Sequence, residues 1–335
     1  MRPLPSRRRP KNSLSRRRVL AALGGAIVPS GASAEPLAMP VIGLLDSAAS
    51  TPAALADFYA GLQVEGYIRN KTLTVEYRSA GGDYSRLPAL AADLVKNGVA
   101  AMTAIGFPAA AAAKTATTAI PIVFAVAPDP VRSGLVGSLD APGGNMTGVT
   151  DLAAGHERKR LELLHELLPT AGEMALLVNP LNPGADAQSE DAVAAARSKG
   201  MQIQLMRAKA DEDFDTIFDA LAAMQPRGLV IADDELFDSR SADLGFLTLH
   251  YRIPTIFQGR AFAAAGGFIG YGSSLIETYH QAGVYTGMIL KGARPAGLPI
   301  FQSTKIEFII NARTAKFLGI DVPASMLDAA NEVFR

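Results

Sequence analysis

Cysteine is absent from all 335 residues, which excludes disulfides, a thiolate nucleophile and a lipidated N-terminal cysteine. Histidine is scarce: His156, His165, His250 and His280 are the four, and they show no metal-ligand spacing. The chain contains no Gly-x-x-x-x-Gly-Lys-Ser/Thr, no Gly-x-Ser-x-Gly and no His-Glu-x-x-His. Gly270-Tyr-Gly272 lacks the third glycine of a dinucleotide fingerprint and does not lie in the first strand–helix turn. None of the histidines falls at an expected strand end, where a catalytic base would stand. An enzyme is therefore the weaker class, and neither a cofactor nor a metal is expected.

Acid is missing from residues 1–34, which carry Arg2, Arg7, Arg8, Arg9, Lys11, Arg16, Arg17 and Arg18. A ten-residue apolar run, Val19 to Val28, follows the arginines and is too short to span a bilayer as a helix. Ala32-Ser33-Ala34 supplies small residues for cleavage, so residues 1–34 read as a signal peptide and the processed chain starts at Glu35. Paired arginines before a weakly hydrophobic, Gly-containing run resemble a twin-arginine signal, with an ordinary Sec signal as the alternative. Either route exports a soluble protein, here to the periplasm, with no membrane insertion once the signal is removed. Removing those 8 from 32 basic residues leaves 24 against 32 acids, a net of −8. So acidic a chain is a poor candidate for nucleic acid or anionic lipid.

From Met39 the pattern alternates. Apolar strands are expected near 39–45, 73–77, 99–105 and 120–127, with helices near 52–65, 84–96 and 109–116 between them. Thr51-Pro52 is a helix start and Gly66 a stop. After the turn-rich Asp140–Asn145 and an extended piece at 147–151, the alternation restarts. Strands are expected near 174–178, 201–206, 228–232 and 253–257, and helices at 157–168, up to Lys199, up to Met224 (capped by Asp211 or Asp213) and at 238–251. A helix at 275–291 and a strand at 305–310 follow. Two successive α/β units imply two doubly wound parallel-sheet lobes facing a cleft and joined by a multi-crossing hinge. The boundaries expected are 35–150 plus about 262–303 for lobe 1, and 151–261 plus about 304–335 for lobe 2.

In open α/β sheets ligands bind beyond the carboxyl ends of strands, which nominates residues directly. Asp46 and Ser47 follow the first strand, with Ser47 equally suited to local capping. Gly106-Phe107-Pro108-Ala109 opens a helix whose N-terminal amides suit an anion, and Phe107 offers a stacking face or simply core. Asp129, in Pro128-Asp129-Pro130, faces the cleft or starts a turn. Asn182 either bonds a ligand or sits in an Asn-Pro turn. Asp233 and Asp234 suit an ammonium group, or hold water, or cap the next helix. Tyr271 is a cleft wall or hinge packing, and Gln258 lies near a crossing. Arg260 meets a ligand carboxylate or a surface acid.

Ile120–Ala127 with Asp129-Pro-Val131, Pro142-Gly-Gly-Asn-Met-Thr-Gly-Val-Thr150, Gly228–Asp234, Ala265–Gly272, Ile289–Ala293 and Ala315–Gly319 recur in an order that resembles one family. It is the ABC-transporter substrate-binding proteins of the tryptophan/tyrosine-binding type, with the type I periplasmic binding fold. The resemblance covers nearly all of the chain after residue 34. It implies capture of a small solute, aromatic or amino-acid-like, delivery to an inner-membrane permease, no catalysis, and a monomer. One departure is that such proteins commonly carry Gly-Thr-Pro-Ala where this chain has Gly106-Phe107-Pro108-Ala109, so a hydroxyl is replaced by a ring and a more apolar or flatter ligand is expected. A periplasmic sensor module for a receptor is the alternative, and a repressor on this fold would need a helix-turn-helix that residues 1–34 do not provide.

Overall fold

The computed structural model describes residues 39–127, 129–150, 156–168 and 172–335. The expected signal segment, 1–34, lies outside the described residues. The first sheet is built from short runs buried on both faces, as parallel strands covered by helices must be. In chain order it contains β1 (Val41–Asp46), β2 (Thr74–Ser79), β3 (Ala101–Ile105), β4 (Ile122–Val126) and β5 (Met146–Thr150). Three helices connect the first four strands: α1 (Pro52–Val64), α2 (Leu87–Lys96) and α3 (Phe107–Ala116). The Thr51 hydroxyl accepts from Ala54 N–H at 3.2 Å at the start of α1, with Pro52 in the first turn.

The second lobe holds α4 (His156–Leu167), β6 (Glu173–Val178), α5 (Ala185–Ser198), β7 (Gln202–Arg207), α6 (Phe214–Met224) and β8 (Gly228–Ile231). Then come α7 (Glu235–Ser239), α8 (Ser241–His250), β9 (Thr255–Phe257), α9 (Arg260–Ala264) and β10 (Ile269–Ser273). The helix expected over 238–251 is thus two helices broken at Arg240. Asp213 stands at the N-cap position of α6, as one of the two expected residues, but makes no side-chain cap bond. Asp211 pairs with Arg240 at 2.7 Å, and Asp213 accepts from the Lys209 and Ala210 amides behind it.

The chain then returns to the first lobe through α10 (Leu275–Leu290) and β11 (Phe301–Gln302). It finishes in the second with β12 (Ile306–Asn311), α11 (Ala312–Leu318), α12 (Ala324–Ala329) and β13 (Glu332–Phe334). Among the described residues the first sheet runs β11-β5-β4-β3-β1-β2, all parallel. The second runs β13-β12-β10-β9-β8-β6-β7 and is parallel except where β10 meets β12. Because β10 pairs with β9 and β12 and Asn311 Nδ2 donates to Ala263 carbonyl in α9, residues 262–273 belong to the second lobe. The return to lobe 1 therefore begins at Ser274 and not at about 262.

Two crossings lie side by side. Ser303 N–H donates to Thr150 carbonyl at 2.9 Å, and Ser274 N–H donates to Lys305 carbonyl at 2.9 Å. The passage from β5 to α4, residues 151–155, lies outside the described residues. In both sheets the order places a switch point, between β1 and β3 in the first and between β6 and β8 in the second. A crevice opens at such points, beyond the carboxyl ends of the strands.

Candidate solute-binding site

The two switch points face one another. From lobe 1 come the loop after β1, with Asp46 and Ser50, and the N-terminus of α3 after β3. From lobe 2 comes the first turn of α7, directly after β8. Between them, closed on one side by Leu275 and Tyr279 of α10, is a cavity of about 70 Å³ lined also by Asp46, Ser50, Glu235 and Asp238. Among the described residues lining it there is no lysine, arginine or histidine.

Asp46 is 2 % exposed. Its carboxylate accepts from Ala48 N–H (3.1 Å), Ser50 N–H (2.9 Å), the Ser50 hydroxyl (2.5 Å) and the Tyr77 hydroxyl (2.7 Å). Burial raises its pKa against the pull of these donors. The Ser50 hydroxyl also meets the Tyr279 hydroxyl at 2.8 Å. Asp238 accepts from Gln258 Nε2 at 2.5 Å. Burial, reinforced by Asp233, pushes the Asp238 carboxyl up to about 8.

Glu235 crosses between the lobes. Its Oε1 accepts from Phe107 N–H at 3.2 Å, at the first turn of α3. Gly106 makes this approach possible: its φ is +89°, and a Cβ there would stand 2.6 Å from Glu235 Oε1 and 2.6 Å from the Ser47 hydroxyl. Among the described residues the other oxygen, Oε2, is buried without a hydrogen-bond partner. Burial, with Asp234 adding to it, raises the Glu235 pKa well above the usual carboxylate value. Beside it, the Tyr84 hydroxyl of lobe 1 donates to Asp234 Oδ1 at 2.9 Å and stands 3.3 Å from Leu236 N–H.

Most of the residues nominated from sequence serve the frame. Asp46 lines the cavity, and Gln258 orients Asp238. Ser47 is a cap: its hydroxyl donates to Ile105 carbonyl at 3.0 Å and accepts from Ala109 N–H at 3.0 Å. The Ala109 amide, expected to receive an anion, is thus used by Ser47 in this structure. Phe107 packs in the lobe 1 core rather than against the cavity. Pro108 lines an outer groove with Tyr84 and Leu181. Asp129 starts a turn, accepting from Val131 and Arg132 amides at 2.8 and 3.1 Å.

Asp233, expected to receive an ammonium group, is paired with cationic side chains of the protein itself. Arg160, 0 % exposed, pairs with it at 2.7 Å, and His156 Nδ1 stands 3.4 Å away. Burial opposes ionisation of Asp233, but Arg160 and His156 outweigh it and hold the carboxyl at about 2. Asp234 caps α7 through Leu236 N–H and accepts from Asn179 and Asn182 at 3.0 and 2.8 Å. Asn182 is thereby a brace for Asp234. Tyr271 packs edge-on against His156 and Phe308, both at 5.9 Å. Arg260 makes a two-pronged pair with Glu332, at 2.8 Å on each prong.

Glu235, Asp238, Tyr84 and Tyr279 were not nominated. For Glu235 and Asp238 a signal existed: they extend the acidic run after β8, and Asp238 stands one helical turn beyond Asp234. Tyr84 and Tyr279 lie a few residues beyond β2 and β10 but carry no charge or motif that marks them, and only the folded arrangement brings them in.

Two α/β lobes with mostly parallel sheets, joined by adjacent crossings with a cavity between opposed strand ends, define a type I periplasmic binding protein. A family model described as ABC transporter substrate binding protein matches residues 45–334, and the chain belongs to that family. Its members are extracytoplasmic solute-binding proteins. A tyrosine-binding protein of Clostridioides difficile is 25 % identical over 261 residues, 78 % of this chain and 75 % of that protein. A Streptococcus pneumoniae ABC domain solved with L-Trp is similar in structure at 24 % identity, with a TM-score of 0.77, covering 88 % of this chain and 99 % of that one. A conserved domain protein of Vibrio cholerae is 25 % identical with a TM-score of 0.80, over the same shares. Among the described residues no helix is long and apolar enough to cross a membrane.

Proposed function

We propose that this substrate-binding protein works in the periplasm as a monomer, capturing a small aromatic or amino-acid-like solute between its lobes and delivering it to an inner-membrane permease, without catalysing a reaction or binding nucleic acid. The observation that carries the reading is the cavity at the meeting of two topological switch points, lined by Asp46 and Tyr279 from one lobe and Glu235 and Asp238 from the other. A solute there contacts both lobes and favours the closed arrangement by its differential contacts. The relatives' tyrosine and tryptophan support starting with aromatic solutes. The absence of the common phosphate-binding, nucleophile-elbow and zinc motifs supports a binding role over a catalytic one.

A thermal-shift screen of the processed protein tests this, using amino acids, aromatic acids, amines, nucleosides and sugars. A captured solute raises the melting temperature with concentration, by the equivalent of about 2.7 kcal/mol at a hundredfold excess over Kd. Silence across the whole panel is the result that sinks the proposal. Turnover of any bound solute would overturn the non-enzymatic part.

A further inference from the structure

The chain fills its own anion seat. Helix N-termini attract carboxylates through their free amides and dipole, and the α3 N-terminus lies at the first-lobe switch point. There Ala109 N–H is taken by Ser47 and Phe107 N–H by Glu235 from the opposite lobe. Gly106 provides the room into which that carboxylate fits. The buried cation of the region, Arg160, is also committed, to Asp233, Tyr271 carbonyl and Ile231 carbonyl. A solute carboxylate entering the cavity would instead meet Asp46, Asp238 and the unpartnered Oε2 of Glu235.

We propose that the interlobe cavity takes an organic cation without a carboxylate, a primary amine, and that Glu235 is the residue that sets this preference. The inference rests on the solute-capture reading above and narrows its solute class. An ammonium donates up to three hydrogen bonds and accepts none, which suits a lining rich in carboxylate and hydroxyl oxygens. It would also offset the mutual repulsion of three acids, whose burial raises their pKa values. A carboxylate gains no cationic partner there and would stand against three acids that burial already disfavours as ions. The cavity of about 70 Å³ has room for only a few water-sized bodies. It therefore suits the amine head, and the lobes part further for the rest of the solute.

The test is calorimetric titration of the processed protein with pairs that differ only by a carboxylate: tyramine and tyrosine, tryptamine and tryptophan, putrescine and ornithine. The amine member of at least one pair is expected to bind tenfold or more tighter than its amino acid. Glu235→Gln keeps an oxygen for Phe107 N–H while removing the charge, so it should weaken amine binding at least tenfold and narrow the gap within the pair. Asp243→Asn, an exposed acid on α8, removes the same charge elsewhere and should change neither, which separates a local site from attraction by an acidic protein. An amino acid that binds as tightly as its amine, or a sugar or carboxylic acid that binds where no amine does, overturns this inference and leaves solute capture standing. An amine preference that Glu235→Gln leaves intact overturns the assignment to Glu235. If no solute of any class binds, both fall together.

Discussion

Asp233 and Asp238 lie five residues apart and titrate in opposite senses. Asp233 is held at about 2, below its ordinary 3.8, by Arg160 and His156. Its folded pKa is depressed, so its contribution is present above about pH 4 and is lost as pH falls through 2. The shift corresponds to about 2 kcal/mol. Arg160→Met removes the partner of a buried carboxylate and should cost on the order of 3–5 kcal/mol, read from urea unfolding at pH 7. A loss under 1 kcal/mol would mean that Asp233 is not buried as an ion. Asp238 is raised from 3.8 to about 8 by burial and Asp233. Its protonated form is favoured on folding, so that stability is full below pH 4 and is lost as pH rises through 8. Asp238→Asn should flatten that decline, gaining stability over the parent more at pH 8 than at pH 5. Equal gains at both would show that Asp238 ionises normally.

Two elements, α1 and α10, carry the first lobe on one face, and they meet at glycines. A Cβ at Gly61 would stand 1.9 Å from His280 carbonyl, and one at Gly283 would stand 2.1 Å from Phe58 carbonyl. The backbones are in contact, and Thr286 of α10 reaches Thr103 of β3 at 2.7 Å. Gly283→Ala should therefore push the helices apart and cost about 1–3 kcal/mol, the usual price of overpacking, seen as a lower urea midpoint with an unchanged slope. An unaltered midpoint would mean the helices can slide. The α7 turn is the matching element of lobe 2, since Asp234 caps it while Glu235 and Leu236 press on lobe 1. Tyr84→Phe removes the hydroxyl shared between Asp234 and Leu236 N–H. It should weaken solute binding five- to thirtyfold, the equivalent of 1–2 kcal/mol. Unchanged affinity would remove Tyr84 from the closing contacts.

For the whole molecule, the hinge consists of chain crossings bonded to one another through Thr150, Ser274, Ser303 and Lys305. Such a ribbon bends by small changes spread over several residues while each sheet keeps its register. A saturating solute should reduce the radius of gyration measured by small-angle scattering. The protein with Tyr84→Phe should be more extended before solute is added. Identical scattering curves with and without a solute that binds would exclude lobe closure.

Alternating apolar runs and helical spacings by themselves determined the two α/β units, their parallel strands and the strand ends on which a site could form. Those patterns are local, because each strand's burial and each helix's stripe is written in neighbouring residues. The acidic run after β8 and the Gly106 turn were legible as site material for the same reason. Which acid does what was not legible. Asp233 and Asp234 look alike in sequence, yet one is neutralised by Arg160, far upstream, and the other is braced by Asn179, Asn182 and Tyr84. The placement of residues 262–273 in the second lobe likewise depended on β10 finding β9 and β12. Partners separated by many tens of residues meet only after folding. Only the tertiary structure could therefore decide that Glu235, and not an incoming ligand, sits at the α3 N-terminus.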